Sequence, residues 1–381
     1  KVIVERFAPR PTAVLCGPGD NGGDGWIVAR ELKARGWPVW VEALVERSAL
    51  KGDAARAAAT WDGETHPLGA RTSAAELFVD ALFGAGLSRA LSGEAAHAAA
   101  FMAQTPERVI AIDVPSGVDG DTGAPVGDVC ARAALTVAFV RKKAAHVLMP
   151  GRVLCGEIIV ADIGASDADV AAQAVMLHEN GPAFWGNAFP WPKIEAHKHA
   201  RGHAIIASGG HGRSGAARLA ARAALRVGAG LVTVLSPPTA MDENAAQLTA
   251  IMLKEASNMG AYAQAARDAQ AMVIGPAFGT EVHHKRSLED AYSATDRCPI
   301  VFDADAITLL SPLTMRLRAS DVMTPHVGEF ERAFGDNLFA HSKTRIEATL
   351  AAAQHAGCVA AATRRFHAHQ SRLGHAGVSS R

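Results

Sequence analysis

The sequence predicts two α/β domains, each built around a mostly parallel sheet with helices on both faces. In both halves of the 381-residue chain, short apolar runs alternate with Ala/Arg/Glu/Lys-rich segments of helical spacing, which is typical of doubly wound sheets. A polar segment with proline and tryptophan separates the halves. We therefore predict a first domain over residues 1–164, a linker over 165–192 and a second domain over 193–381, with a divergent tail from about residue 361.

Individual elements follow from the same alternation. Six apolar runs predict the strands of the first sheet: Ala13–Cys16, Val39–Leu44, Leu77–Phe83, Val109–Val114, Leu135–Val140 and Ile158–Ile163. Helices are predicted over Trp26–Arg35 and Ala54–Trp61. In the second half, "HAIIASGG", "LVTVLSP", "AMVIGPAFG" and "PIVFDADAI" predict strands, and "GAARLAARAALRVGAG" predicts a helix closed by glycines.

The composition of the chain argues against nucleic acid and membranes as partners. Lys+Arg and Asp+Glu balance at 38 each, so no excess charge favours nucleic acid or an anionic membrane. No apolar run is long enough to span a bilayer. The five cysteines are dispersed without a C-x-x-C pair, which predicts free thiols in a reducing compartment. We expect a soluble cytoplasmic protein that acts on a small molecule and forms a homo-oligomer.

The stretch "GPGDNGGDG", Gly17–Gly25, follows the first apolar run. Its first six residues satisfy G-x-G-x-x-G, and Glu42 stands near the end of the next run, so an ordinary nicotinamide-dinucleotide site is one interpretation. However, Asp20 and Asp24 would bring carboxylates close to a pyrophosphate, which is unfavourable unless a cation lies between them. A turn whose aspartates cap the helix explains one aspartate but not both. The loop, with its surplus glycines, is better suited to hydroxyl groups or a cation.

Two further strand ends carry the same kind of chemistry. "VDALFGAGLSRAL" places Asp80 at a strand end, and "IAIDVPSGVDGDTG" does the same for Asp113 and Ser116. Because carboxyl ends of parallel strands share one sheet edge, Asn21, Asp80 and Ser116 are expected to converge there. Several oxygen ligands with little formal charge suit a monovalent cation or a water-bridged site better than a tight divalent one. Taken alone, Asp80 is equally well explained as a helix cap.

These motifs carry a resemblance to a known family. "VLCGPGDNGGDGWIVARELKARG", "VDALFGAGL", "AIDVPSGVDGDTG" and "GEIIVADIG" occur in order and resemble the N-terminal, Rossmann-like domain of the bifunctional NAD(P)H-hydrate repair enzymes. The family loop usually reads G-N-N-G-G-D-G, so Asp20 here replaces an asparagine. The resemblance implies an epimerase that interconverts the R and S forms of hydrated NAD(P)H.

The resemblance also implies roles for particular residues. Asp113 is expected to contact the hydrated nicotinamide and to act as the acid/base group. Asn21, Asp80 and Ser116 are expected to ligate potassium. The dinucleotide site is expected to be lined by two segments, which are Asp20, Asn21, Gly22, Gly23 and Asp24, and Gly84, Ala85, Gly86, Leu87, Ser88, Arg89 and Ala90.

The second half resembles the C-terminal domain of the same enzymes, an ADP-dependent (S)-NAD(P)H-hydrate dehydratase of ribokinase-like fold. The carrying motifs are the segment around "SGGHGRSGAA", "GPAFG", "DADAI" and "TPHVGEF". The resemblance implies that Ala216, Gly279 and His326 contact the hydrated cofactor. It implies phosphorylation of the hydroxyl by ADP followed by elimination, with magnesium as a further candidate cofactor.

The end of the chain departs from the family pattern. The dehydratase continues with a Lys-Gly strand end and a Gly-x-Gly-Asp turn, whereas after "AAAQHAGCVAA" this chain reads "ATRRFHAHQSRLGHAGVSSR". That basic tail is interpreted as disordered or as out-of-frame translation of a truncated gene. We therefore expect an incomplete second domain with little dehydratase activity.

Three other functions remain open from the sequence. An ordinary NAD(P)-dependent oxidoreductase needs a group of His, Lys, Tyr or Ser residues that binds the substrate and transfers protons. No convincing group of this kind is evident after the first sheet. A small-molecule kinase of ribokinase type needs the Gly-x-Gly-Asp turn and leaves the first domain without a role. A non-catalytic nucleotide-binding scaffold would keep the pockets and lose the chemistry.

Overall fold

The computed structural model describes residues 1–362 except 174, 176, 259, 336, 337, 339, 340 and 343. The chain divides into two compact units, Lys1–Asn187 and Ala188–Arg381, and the division falls inside the segment predicted as a linker. The tail predicted to diverge lies almost wholly outside the described residues. Within the described part, no helix is both long enough and apolar enough to cross a membrane.

The first unit is built on a sheet of seven parallel strands among its described residues, in the order β3-β2-β1-β4-β5-β6-β7. The strands are β1 (Thr12–Cys16), β2 (Val39–Ala43), β3 (Thr65–Pro67), β4 (Leu77–Ala81), β5 (Val109–Ile112), β6 (Leu135–Phe139) and β7 (Glu157–Ala161). The helices are α1 (Val2–Arg6), α2 (Asp20–Lys33), α3 (Gly52–Ala59), α4 (Gly93–Gln104), α5 (Gly151–Leu154), α6 (Asp167–Ala172) and α7 (Pro182–Trp185).

The central strands are buried on both sides, which explains their continuous apolar sequence. Every residue of β1 and of β4 is buried. Along β1, Val14 joins a core with Trp26 of α2, whereas Leu15 faces a second core with Met102 of α4. Successive side chains of the strand thus pack into two separate cores, one on each face of the sheet, as expected when helices cover both faces of a parallel sheet.

The second unit contains another sheet of seven parallel strands within its described part, in the order β10-β9-β8-β11-β12-β13-β14. Its strands are β8 (His203–Ala207), β9 (Leu231–Ser236), β10 (Met252–Glu255), β11 (Ala271–Ile274), β12 (Ile300–Phe302), β13 (Val322–Met323) and β14 (Val359–Ala360). Its helices are α8 (Gly215–Val227), α9 (Met241–Ala245), α10 (Gly260–Asp268), α11 (Val282–Ser293), α12 (Asp305–Leu310), α13 (Val327–Phe334) and α14 (Arg345–Ala356).

The predicted fold class, two doubly wound α/β sheets, is confirmed, and so are the six strands predicted in the first half, to within two residues at every end. The strand β3 was missed because its three residues are exposed or half-buried and form no apolar run. β10 and β14 were missed for similar reasons, since they are short and largely exposed or half-buried.

The glycine stretch is where the predicted local structure was wrong. The predicted loop over Gly17–Gly25 is a loop only as far as Gly19, and α2 begins at Asp20. A Cβ on Gly22 would lie 1.9 Å from the Gly17 carbonyl oxygen, and one on Gly25 would lie 2.6 Å from Ala81 Cβ. Gly25 therefore lets α2 pack closely on β1 and β4, and Gly22 lets it pack on the loop after β1.

The close packing at Gly22 gives a first prediction. Gly22→Ala should lower the free energy of unfolding of the first unit by about 3 kcal/mol, since an overlap with main chain outweighs the ~1 kcal/mol gained from helix propensity. Gly19→Ala is the matched control, because its Cβ would meet no atom within 4 Å. Urea unfolding of both variants measures the difference, and equal stabilities would contradict the account.

Candidate functional site

A cleft of about 610 Å³ opens at the carboxyl edge of the first sheet. It lies where the strand order reverses, between β1 and β4, which is where open α/β sheets bind ligands. Four strand ends contribute to its lining: Gly19, Asp20, Asn21 and Asp24 after β1; Leu82, Phe83, Gly84, Ala85, Gly86, Leu87, Ser88 and Arg89 after β4; Asp113 after β5; Phe139 and Lys143 at the end of β6.

Most of the residues predicted for the dinucleotide site line this cleft. Asp20, Asn21, Asp24, the segment Gly84–Arg89 and Asp113 do so. Gly22 and Gly23 do not, because they are buried in α2, where Gly23 approaches Ala54. Ala90 also lies outside the lining; its Cβ would come within 2.7 Å of one on Gly127.

Asp113 stands at the end of β5 in a conformation that non-glycine residues rarely adopt, with φ of +67°. Its main chain is fixed at both sides: the N–H donates to Val137 O at 2.8 Å, and the carbonyl lies 2.7 Å from His146 Nε2. Its carboxylate accepts a hydrogen bond from the Ala85 N–H at 3.0 Å. The same carboxylate forms an ion pair with Lys143 Nζ. Every polar group of Asp113 is therefore held by a different residue.

Lys143 is the main site residue that sequence reasoning missed. Its side chain is 32% exposed and pairs with the Asp113 carboxylate, whose side chain is 15% exposed. The available signal was its position: Lys143 comes four residues after the last residue of β6, in the run "RKK", at the same sheet edge as the other site residues. A lysine shortly after a strand is common on protein surfaces, so its position alone does not indicate a site residue.

Asp80 and Ser116 form a buried pair beside the cleft. Both residues are fully buried, and Asp80 accepts the Ser116 N–H at 2.7 Å and the Ser116 hydroxyl at 2.5 Å. None of the ion pairs between described residues involves Asp80. Burial consequently raises the pKa of Asp80 to about 6, although the hydrogen bonds from Ser116 and Leu82 lower it in part.

Asn21 adds an unsatisfied group to the same region. Among the described residues, its Nδ2 is buried and has no hydrogen-bond partner. A Cβ on Gly84 would lie 3.2 Å from Asn21 Oδ1 and 3.2 Å from Asp113 Oδ2. The oxygens of Asn21 and Asp113 thus converge over a residue without a side chain, where a ligand can reach both.

The aspartates of α2 do not cap their helix. Gly19 is the N-cap, and no side chain makes a cap hydrogen bond there, so the capping interpretation of Asp20 and Asp24 was wrong. The pKa of Asp24 is raised, first by burial and then by the negative charges of Asp113 and Asp20. The concentration of negative charge expected from the sequence is therefore present at this end of the cleft.

Glu42 has a structural role instead of a ribose-binding one. Its side chain is buried in β2 and accepts hydrogen bonds from Trp40 Nε1, from the Gly69 N–H at 2.8 Å and from Thr72 Oγ1 at 2.7 Å. With these donors, Glu42 is not free to hold a ribose hydroxyl. The dinucleotide fingerprint therefore lacks its acidic partner, which counts against the ordinary dehydrogenase interpretation.

In the second unit, the three predicted contact residues lie at the carboxyl edge of the sheet. Ala216 is in the first turn of α8 after β8, Gly279 follows β11, and His326 is the N-cap of α13 after β13. Gly279 has φ of +111°, and its N–H donates to Asp305 Oδ2 at 2.8 Å. His326 is engaged with Glu329, whose Oε1 lies 3.1 Å from its Nε2.

The fold and the cleft define a class of protein: two doubly wound α/β units, the first with a nucleotide-type site rich in carboxylates at its switch point. Comparison with known families makes this specific. The family described as YjeF-related protein N-terminus matches residues 1–145, and the family described as NAD(P)H-hydrate dehydratase matches residues 204–364. The chain belongs to the family of bifunctional NAD(P)H-hydrate repair enzymes, as the resemblance predicted.

Curated relatives with this function match most of the length of the chain. A bifunctional NAD(P)H-hydrate repair enzyme from Coxiella burnetii is 34% identical over 342 residues, which is 88% of this chain and 69% of the relative. The enzyme of the same name from Escherichia coli is 32% identical over 354 residues, 91% of this chain and 67% of the relative.

Solved structures align with smaller parts of the chain. An ADP/ATP-dependent NAD(P)H-hydrate dehydratase from Bacillus subtilis, co-crystallised with ATP/Mg²⁺, is 24% identical and covers 46% of this chain and 62% of its own, with a TM-score of 0.39. A ribokinase-like superfamily protein from Enterococcus faecalis is 22% identical and covers 43% of this chain and 58% of its own, also with a TM-score of 0.39.

The bare floor of the cleft at Gly84 gives the second prediction. Gly84→Ala should weaken binding of NADH-hydrate by about tenfold, since a methyl only 3.2 Å from Asn21 Oδ1 and from Asp113 Oδ2 would displace two side chains of the cleft. Gly86→Ala, where a Cβ meets nothing within 4 Å, should cost less. Calorimetric titration of both variants decides it; a loss at Gly86 equal to that at Gly84 would contradict the assignment.

Proposed function

We propose that the cleft of the first unit epimerises the R and S forms of NAD(P)H-hydrate. The observation that carries this proposal is the Asp113 carboxylate, held in the cleft by the Ala85 N–H and the Lys143 ammonium. Asp20, Asn21, Asp24 and the segment Gly84–Arg89 are proposed to hold the dinucleotide around it. The substrate is thus the damaged cofactor itself.

The chemistry follows from the substrate's hemiaminal carbon, which bears a hydroxyl and is bonded to the ring nitrogen. The C–O bond breaks as the hydroxyl oxygen takes a proton and leaves as water, while the nitrogen lone pair forms a C=N bond. Water then adds to the opposite face and returns a proton. Asp113 exchanges these protons with the substrate oxygen, and Lys143, bonded to the same carboxylate, can give it a proton and take one back.

Potassium is proposed to bind at Asn21, Asp80 and Ser116. The residues fit such an ion, because Asp80 is a buried carboxylate that no cationic side chain of the described residues pairs with, and the side chains of Asn21 and Ser116 supply neutral oxygens. Their oxygens carry little formal charge, which suits a monovalent ion. A bound cation would supply a positive charge beside the Asp20–Asp24 carboxylates and would offset the burial of Asp80.

For the second unit, we propose ADP-dependent dehydration of (S)-NAD(P)H-hydrate, with Ala216, Gly279 and His326 as contacts to the hydrated cofactor. The match to the dehydratase family over residues 204–364 supports this activity. Magnesium is proposed as the partner of the nucleotide. The low dehydratase rate expected from the tail, homo-oligomerisation and a cytoplasmic location stay predictions.

Separate assays test the two activities. Purified protein is incubated with (R)-NADH-hydrate, and the S form is measured by chromatography against buffer alone; conversion no faster than in buffer would overturn the epimerase proposal. (S)-NADH-hydrate with ADP and magnesium then tests the second unit through recovery of NADH absorbance. Because each assay starts from one epimer, the two results are independent.

The buried Asp80 gives the third prediction. Potassium chloride should raise the melting temperature of the protein by several degrees relative to tetramethylammonium chloride at equal ionic strength, since an ion bound only to the folded state stabilises it by about 2.7 kcal/mol at 100 times its Kd. Asp80→Asn should abolish this difference.

The control for that experiment is Asp121→Asn, an exposed carboxylate in the same loop sequence as Ser116. It should retain the full response to potassium. A potassium effect that survives in Asp80→Asn would contradict the assignment of this site.

A further inference from the structure

His146 is a buried histidine beside the cleft, and no motif in the sequence singles it out. It ends the short helical turn Ala144–His146 after β6 and is only 2% exposed. It does not line the cleft. Both of its ring nitrogens are nevertheless engaged with the main chain of cleft residues, so its contacts can reach the chemistry without its side chain touching the substrate.

The two hydrogen bonds of His146 define its protonation state. Nδ1 accepts the Lys143 N–H at 2.9 Å, so the ring proton must be on Nε2, which donates to Asp113 O at 2.7 Å. Burial lowers the pKa of His146, although the bond to the Asp113 carbonyl raises it in part. The charged groups facing the ring are Lys143, Asp113 and Lys142, and the neutral ring satisfies both of its bonds.

Through these bonds His146 ties together the main chains of the two residues that form the ion pair. Asp113 ends β5 and Lys143 follows β6, and these strands are neighbours in the sheet. Asp113 also adopts its left-handed conformation at the residue whose carbonyl His146 holds. Such a conformation persists only when surrounding contacts fix it.

We infer that His146 is a positioning residue for the reaction in the cleft, holding Asp113 and Lys143 at the separation that lets them share a proton. This inference rests on the proposed epimerase function and extends it to a residue outside the cleft. Losing His146 should leave the dinucleotide contacts of Asp20–Asp24 and Gly84–Arg89 in place. Loss of His146 should therefore lower kcat more than it raises KM, since a misplaced reacting group slows the chemical step while substrate binding is retained.

Two substitutions separate positioning from simple packing. His146→Leu fills a similar volume and removes both hydrogen bonds, whereas His146→Gln keeps an acceptor and a donor on one side chain. We expect the leucine variant to lose roughly 10- to 100-fold in kcat for epimerisation with KM within about twofold of the parent. The glutamine variant should recover most of that loss. Equal losses in both variants, an unchanged kcat, or a loss confined to KM would overturn the inference.

A second readout does not depend on catalysis. Acylation of individual lysines by acetic anhydride, followed by peptide mass spectrometry, reports how freely Lys143 leaves its ion pair. Lys143 should react faster in the leucine variant than in the parent, while Lys33, which pairs with Asp62 Oδ1 at 2.8 Å, should react equally in both. No change at Lys143 would overturn the positioning role.

The two readouts keep the inference distinct from the proposed function. A parent protein without epimerase activity whose Lys143 still responds to His146→Leu would refute the function and leave the positioning of the pair supported. If the leucine variant does not fold, His146→Asn, whose shorter side chain cannot span both partners, takes its place with the same expectations.

Discussion

The candidate site depends on the main chain of one residue, Asp113. A left-handed conformation costs an L-residue about 1–2 kcal/mol, and here it is offset by hydrogen bonds that reach Asp113 from separate segments, namely Val137 of β6, His146 after it and Ala85 after β4. The Asp113 carboxylate lies in the lining of the cleft. Lys143 can then pair with it, and Asn21 can approach from α2.

The same edge shows how close packing brings these groups together. Glycines at the start of α2 let the helix lie against β1 and β4, so that Asp20, Asn21 and Asp24 reach the cleft from the first turns of a helix. Carboxylates at a helix N-terminus interact favourably with its dipole, which offsets part of their mutual repulsion. The buried Asp80–Ser116 pair links β4 to the loop after β5.

Much of this arrangement could be predicted from the sequence, because it follows from periodicity. Buried parallel strands read as continuous apolar runs, and their carboxyl ends share one edge, so Asp80, Asp113 and Ser116 could be placed together before any coordinates. The start of α2 could not, since glycine usually indicates a loop, and only the neighbouring main chain shows why glycine is needed inside that helix.

Lys143 and His146 were missed for another physical reason. Their roles depend on the separation between β5 and β6 and on hydrogen bonds to main-chain atoms, which leave no periodic pattern in the sequence. The positive φ of Asp113 is also invisible in the sequence, because aspartate is common in ordinary conformations. The sequence therefore predicts which edge of the sheet holds the site. It does not predict the hydrogen bonds and the main-chain conformation that orient Asp113 and Lys143 there.

The most direct measurement of the central claim is the rate at which Asp113→Asn interconverts the epimers of NADH-hydrate. Asparagine tolerates the left-handed conformation and has nearly the same shape, so the fold and the melting temperature should be retained while proton exchange is lost. The account predicts a rate reduced by roughly 10²- to 10⁴-fold with substrate binding preserved. A variant that epimerises as fast as the parent would contradict it.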